Sequence, residues 1–434
     1  MNEITIGIIG LFVLVGVFLT GFELGFAMAL VGFVGYSLII STKAGFAMVA
    51  QDVYDVFSTY GFTVIPVFVL MGQIAFNGGI AKRLYDSAFR FIGHIPGGLA
   101  MATVGGAAAF GSVTGSTTAT SATFASVAIP EMDRYGYSRV LSTGIVAASG
   151  TLGCLIPPSV PLIVYGIITE QSIGKLFIAS VFPGLLVALF FMFIIYGWCS
   201  INPSLGPKGE RSSWRERFAS LREIAGVAVI FIVVMGGMMQ GFFTPTEAGS
   251  VGAFAVAVLA FATRDIDLKG LFKSLKESLV TACMVLILIA GSAIFGHFIA
   301  VTKIPMVAAD WIIQLPLHRH LILVFIGLIY LLGGSFIDDL AFMILATPIF
   351  YPVVVKLGYD LIWFGMFLHL TVMIGVIIPP VAVNVFVVKN ITKESIGVIY
   401  KGVTPFLLSL AFVVFLLFVF PQIALFLPSF LKGG

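Results

Sequence analysis

The stretch "GTLGCLIPPSVPLIVYG", residues 150–166, is apolar enough for a membrane helix yet carries two adjacent prolines, Pro157 and Pro158, at its middle. Each proline removes an N–H donor and drives its ring into the preceding turn. The interruption recurs in "VIIPPVAVNVFVV", residues 376–388, at Pro379 and Pro380. Irregular backbone at membrane depth is tolerated only where it is buried in protein or lines a wet cavity, because each unpaired amide or carbonyl in lipid costs several kcal/mol. Both breaks therefore have to face something polar.

The surrounding composition makes lipid the solvent. The chain has 434 residues, 59% hydrophobic and 10% charged, with a mean hydropathy of +1.12. Apolar runs recur from residue 4 to residue 428, and a run near 20 residues spans the hydrocarbon, so about ten crossings are expected. The runs are continuous rather than alternating, which selects helices over a barrel. The net charge of +3 is small, its placement matters more than its size, and no nucleic-acid partner is expected. Cys154, Cys199 and Cys283 all sit in apolar segments without C-x-x-C spacing and read as packing residues. The N-terminal run has no basic region or small-residue cleavage site and reads as a retained first helix.

The chain repeats itself. An offset of 222 residues lays Pro157-Pro158 on Pro379-Pro380, Gly153 on Gly375, Pro130 on Pro352, Gly136-Tyr137 on Gly358-Tyr359 and Gly111 on Gly333. An offset of 220 lays Gly21-Phe22 on Gly241-Phe242. The first unit, residues 1–199, reads as spans at 4–20, 22–41 and 62–80, a hairpin too short to cross at 96–132, a broken span at 140–170 and a last span at 177–199. Residues 200–223 form a linker, and the second unit, 224–434, holds a hairpin at 319–353 and a broken span at 361–388. An odd number of crossings per unit inverts the second unit relative to the first. The expected fold is thus an all-α membrane protein of two inverted repeats, each with a re-entrant helical hairpin and a proline-broken helix.

Charge placement orients it. With the N-terminus outside, only Lys43, Lys175, Lys303, Arg319, Lys356 and Lys432 of the 23 lysines and arginines fall in outer segments. The positive-inside rule then places both termini outside and the linker in the cytoplasm, as a solvated loop.

The hairpin tips show what the breaks face. The first carries Gly111, Gly115 and the hydroxyls of Ser112, Thr114, Ser116, Thr117 and Thr118; the second carries Gly333-Gly334, then Asp338 and Asp339. Carbonyls and hydroxyls suit a hard cation and helix N-termini suit an anion. One cation is placed among Gly111, Ser112, Ser116, Gly150, Thr151 and Pro157, a second among Gly333, Gly334, Asp338, Met373, Gly375 and Pro379. Ser116, Thr117, Thr118, Pro158, Pro380 and Asn384 are the candidates for an anion pocket. An isolated run of small residues more often serves helix packing; recurrence beside a proline break in both halves favours binding. Asp338 is expected to be functional, as an intramembrane carboxylate. His94, His318 and His320 lie at helix ends, and His297 and His369 lie deeper without an evident carboxylate partner. Trp311 and Trp363 read as interface anchors. No G-x-x-x-x-G-K-[ST] or H-E-x-x-H stretch is present, so neither ATP hydrolysis nor zinc peptidase chemistry is indicated. No base accompanies the hairpin hydroxyls, which sets aside an intramembrane enzyme. Closed hairpins in inverted orientation favour alternating access over a channel.

At these residues the chain resembles the large membrane subunit of tripartite ATP-independent periplasmic (TRAP) transporters. The matching stretches run from "IPVFVLMGQIAFNGGIAKRLYD" through "GSTTATSATFASVAIPEM", "GTLGCLIPPSVPLIVYG" and "GSFIDDLAFMILATPIFYP" to "GVIIPPVAVNVFVV". The resemblance implies an elevator-type carrier of the bacterial inner membrane that couples import of a small organic anion, a carboxylate or sulfonate, to Na+ at two or more sites located at the tips and breaks. It further implies a small four-helix membrane subunit on a separate chain and a periplasmic binding protein that delivers the substrate. The alternative is a stand-alone sodium/dicarboxylate symporter.

Overall fold

The computed structural model describes residues 2–209, 211–307, 310 and 317–430; Trp311 lies outside them. All regular elements among the described residues are helical. One group comprises α1 (Glu3–Leu19), α2 (Leu24–Ile39), α3 (Thr42–Ser58), α4 (Val64–Asn77), α5 (Ile80–Ile92), α12 (Trp214–Met239), α13 (Pro245–Ala262) and α14 (Leu268–Val301). Small residues let these helices touch backbone to backbone: Gly25 of α2 meets Gly291 of α14, and a Cβ on Gly32 would stand 2.8 Å from the Phe295 backbone. Close approach of this kind substitutes for a hydrophobic drive that lipid does not provide.

Helix α3 is an element the sequence reading leaves blank. Ser41 caps it by accepting from the Ala44 amide, and its buried Asp52 is 2.8 Å from Nδ1 of His297 on α14. His297 thus has the carboxylate partner that proximity in sequence does not reveal. At the 222-residue offset, α3 and α4 together fall on the single 34-residue α14. In the first unit the 3-10 turn Tyr60–Thr63 separates the two pieces.

The second group holds the irregular backbone. Helices α6 (Gly98–Thr114) and α7 (Thr117–Arg134) form the first hairpin; α8 (Arg139–Ser149), α9 (Leu152–Leu155) and α10 (Val160–Ile168) form a span bent by 42° at Pro157-Pro158. The second unit matches this with the hairpin of α15 (Arg319–Phe336) and α16 (Asp339–Lys356), then α17 (Leu361–Gly375) and α18 (Val383–Thr392) on either side of Pro379-Pro380. Helices α11 (Ile173–Ile201) and α19 (Ile396–Val419) complete the units. The halves interlock: α8 crosses α19 with Gly144 and Gly402 in backbone contact.

Seven helices among the described residues are long and apolar enough to cross a membrane, or nine if each bent pair is one span. That set includes both arms of the second hairpin, 18 residues each, so the hairpin is not too short by length. It turns back because Ile337 and Asp338 break it, and its tip packs on the break between α17 and α18, where the Val381 amide donates to the Ser335 carbonyl at 3.1 Å.

The linker is exposed along much of its length but is not free. Its carbonyls at Leu205 and Gly206 accept from Ser138 and Gly97, at the two feet of the first hairpin, at 3.0 and 2.9 Å, and the Gly209 amide donates to Gly93 at 2.9 Å. It is a strap, because backbone groups near a packed surface take partners. Trp363 is buried rather than interfacial: its indole N–H donates to the Leu417 carbonyl at 2.9 Å, with Tyr359 and Phe367 stacked on either side. Cys283 is exposed on α14 and is not a packing residue; Cys154 and Cys199 are buried.

Candidate functional site

The first tip is set by Gly115, whose φ of +59° closes the turn between α6 and α7. The left-handed region favours glycine, and a Cβ here would also stand 2.8 Å from the Pro158 carbonyl of the break. Ser116 caps α7 by accepting from the Ala119 amide at 3.2 Å. The Gly115 carbonyl accepts the Cys154 thiol at 3.0 Å. Tip and break are thus one packed unit, with Gly111 against the Leu152–Gly153 backbone.

Of the first cation set, the structure gathers Gly111, Ser116, Gly150 and Pro157 around this junction, with Pro157 and Pro158 buried. The Ser112 and Thr151 hydroxyls instead turn back to their own helices, donating to Ala109 and Ala148 at 2.6 and 2.7 Å. One residue the sequence did not single out stands at the junction: Ser121 lies one turn inside α7 and its Oγ abuts Gly150, while the neighbouring Thr120 hydroxyl donates to the Ser116 carbonyl at 2.8 Å. Ser121 Oγ and Asn384 Oδ1 are both buried without a hydrogen-bond partner. The available signal was spacing: positions 116, 117, 120 and 121 share one face of a helix.

At the second tip, Gly334 packs on Val372 and Gly375 meets the Gly334 backbone so closely that only glycine fits. Gly333 faces the Phe342 ring instead of the break, and its carbonyl accepts from Ile337 at 3.0 Å. Met373 is fully buried. Pro379 and Pro380 are exposed, unlike their counterparts. Asp338 is exposed; Asp339 is buried at 5% exposure, and its Oδ2 has no partner.

The two tips meet. Thr114 to Thr118 of the first and Asp338 to Leu340 of the second line one cavity of about 290 Å³, joined by Gln73 of α4 and Cys154 of the break. Ser116, Thr117 and Thr118 of the anion set are in its wall; Pro158 stands behind Gly115, Pro380 lies outside the wall, and Asn384 lies at Gly150. The breaks also touch. His369 Nε2 on α17 is 3.1 Å from the Cys154 carbonyl and 3.4 Å from Ser159 Oγ, while Asn384 Nδ2 on α18 donates to the Ala147 carbonyl at 3.3 Å. No lysine, arginine or histidine lies among the described lining residues.

Broken helices and hairpin tips converging on one cavity inside a multi-pass helical protein define a membrane carrier. A profile of the tripartite ATP-independent periplasmic transporter, DctM component, matches residues 9–423, and the chain belongs to that family. It is 37% identical over 383 residues, 88% of this chain and 89% of the relative, to the C4-dicarboxylate TRAP transporter large permease protein DctM of Pseudomonas aeruginosa. It is 31% identical to the sialic acid TRAP transporter large permease protein SiaM of Vibrio cholerae, covering 96% of this chain and 97% of the relative. Further relatives are named for isethionate and for ectoine. The fold is similar to the YdaH transporter of Alcanivorax borkumensis, with a TM-score of 0.61 at 14% identity over 87% of this chain and 89% of that one. The chain is a TRAP transporter large permease subunit and not an enzyme.

Proposed function

We propose that the protein imports a small organic acid by sodium-coupled alternating access in the inner membrane, with both termini periplasmic. The observation that carries this reading is the convergence of both hairpin tips, each packed on its own break, at one cavity. The unpartnered Ser121 Oγ and Asn384 Oδ1 beside the Thr117 carbonyl at Gly150 are hard oxygen donors, the ligand type a sodium ion takes. The second tip would hold its ion through backbone carbonyls and the Asp338 carboxylate. The hairpins and broken spans would move together, as an elevator, past the group containing α2, α4, α13 and α14. A small four-helix subunit would brace that static group, and a periplasmic binding protein would deliver the cargo.

The energetics close. One net charge moving through about 100 mV is worth about 2.3 kcal/mol. Adding a tenfold gradient for each of two sodium ions, at about 1.4 kcal/mol apiece, brings the drive for a monoanion to roughly 5 kcal/mol, on the order of a thousandfold accumulation. Uptake into proteoliposomes holding the chain, its small subunit and its binding protein should stop when choline replaces sodium; undiminished uptake refutes the coupling. Sodium-driven uptake that persists without any binding protein would instead establish a stand-alone symporter.

A further inference from the structure

The cavity between the tips is electrically lopsided. One wall is the start of α7, whose Ser116 cap and neighbouring Thr117 and Thr118 are neutral. The partial positive charge of that helix end is left for a ligand. The opposite wall is the start of α16, where Asp338 and Asp339 occupy the cap and the first turn. There the protein's own carboxylates already answer the helix end, and the buried Asp339 Oδ2 has no partner in the protein. No basic side chain among the described lining residues balances the pair. A buried carboxylate oxygen without a partner requires a donor or a positive charge from elsewhere.

We propose that the cargo is a zwitterion: its acid group meets the hydroxyls and amides at the start of α7, and a protonated or permanently cationic nitrogen meets Asp339. This rests on the cavity being the transport path, as proposed above, and narrows the cargo to one class of organic acid. A dicarboxylate would place its second negative charge against Asp338 and Asp339, with only co-bound cations to offset the repulsion. A cationic nitrogen turns the same carboxylates into partners and donates to the Asp339 oxygen.

The test reads the cavity's charge and its occupant separately. Ala122→Cys, in the wall of the cavity, is placed in the full chain with Cys283→Ser and with Cys154→Ser, whose hydroxyl keeps a donor for the Gly115 carbonyl, and reconstituted with the small subunit. Modification by a cationic methanethiosulfonate should outpace that by an anionic one by about tenfold relative to Ser204→Cys in the exposed strap, since walls of one sign concentrate counter-ions. Asp339→Asn should abolish the preference and Asp339→Glu should retain it. With sodium present, ectoine at about 10 mM should slow modification and succinate should not, a concentration above a millimolar Kd. An anionic reagent that reacts as fast, protection by succinate, or protection by neither solute overturns the zwitterion assignment. Full sodium-driven uptake by the modified Ala122→Cys protein would show instead that the cavity is not the path, which removes the reading beneath the proposal.

Discussion

His369 ties the two breaks together at the level of a single hydrogen bond. It sits on α17, fully buried, with Nε2 facing the Cys154 carbonyl at 3.1 Å. A carbonyl only accepts, so the nitrogen facing it carries the proton. Removing that donor leaves a buried carbonyl at the first break unpaired, a loss of about 1–3 kcal/mol. His369→Leu should therefore lower the thermal midpoint of the purified protein and reduce uptake, while His369→Gln, which keeps an N–H, should recover part of both. An unchanged midpoint for the leucine variant would show that the contact is incidental. The two aspartates divide in the same way. Both line the cavity, but Asp338 is the exposed residue before the first turn of α16 and Asp339, the first helical residue, is buried. The sequence places Asp338 in the site but leaves open which of the two carboxylates points inward, because nothing in the string "IDDL" states where the helix starts. Asp339→Asn should cost more uptake than Asp338→Asn at equal expression; the reverse order would restore Asp338.

At the scale of elements, the strap from Leu205 to Gly209 binds both feet of the first hairpin and is backed by Arg217, whose Nη2 donates to His94 Nδ1 at 3.2 Å. Burial holds the His94 imidazole below its ordinary value, and the cations Arg217 and Arg211 push it in the same direction. A histidine depressed in the folded state binds fewer protons there than when unfolded, so stability rises with pH. The contact is complete above about pH 6.5 and weakens as the pH falls through and below that value, when Nδ1 becomes a donor facing a cation. Hydrogen exchange at the Gly97 and Gly209 amides, the donors of the strap bonds, should thus quicken at acid pH beyond its chemical baseline, and His94→Ala should remove that excess; identical protection in both proteins would separate the strap from His94. The hairpins and breaks were legible because proline and glycine act on the backbone where they stand, so Gly115 and Pro157-Pro158 announce a turn and a bend locally. The strap, the buried Trp363 and the Asp52–His297 pair depend on partners far along the chain, and no local pattern encodes them. Helix α3 was missed for a different reason: Asp52, Tyr54 and Asp55 interrupt its apolar run, so it reads as a loop although Ser41 caps it.

For the whole molecule, the question is whether the two groups of helices move as bodies. At their seam, helix α5 packs along the first hairpin, with Gly106 of α6 against the Tyr85 backbone and Tyr85 edge-on to Phe124; elsewhere a Cβ on Gly72 of α4 would stand 2.9 Å from the Thr114 carbonyl at the first tip, and Ser292 of α14 donates to the Ile344 carbonyl of α16 at 3.2 Å. Few polar bonds cross it, whereas inside the second group α8 and α19 are locked at Gly144 and Gly402. A seam with so little directional bonding can slide without breaking many hydrogen bonds, and rigid-body displacement is one of the standard ways a bistable protein switches. Spin labels test this without disturbing the packed faces. Phe254 on α13 and Leu408 on α19 are 73% and 70% exposed and lie in different groups. Their distance distribution should shift between sodium-free protein and protein with sodium and cargo. The pair Phe193 on α11 and Leu408, both within the second group and both exposed, should keep one distance throughout. If the first pair stays fixed while uptake proceeds, access must alternate by local motion of the hairpin tips alone, and the elevator fails. If both pairs shift, the second group is not one body, and the locked α8–α19 crossing cannot be the axis about which it holds together.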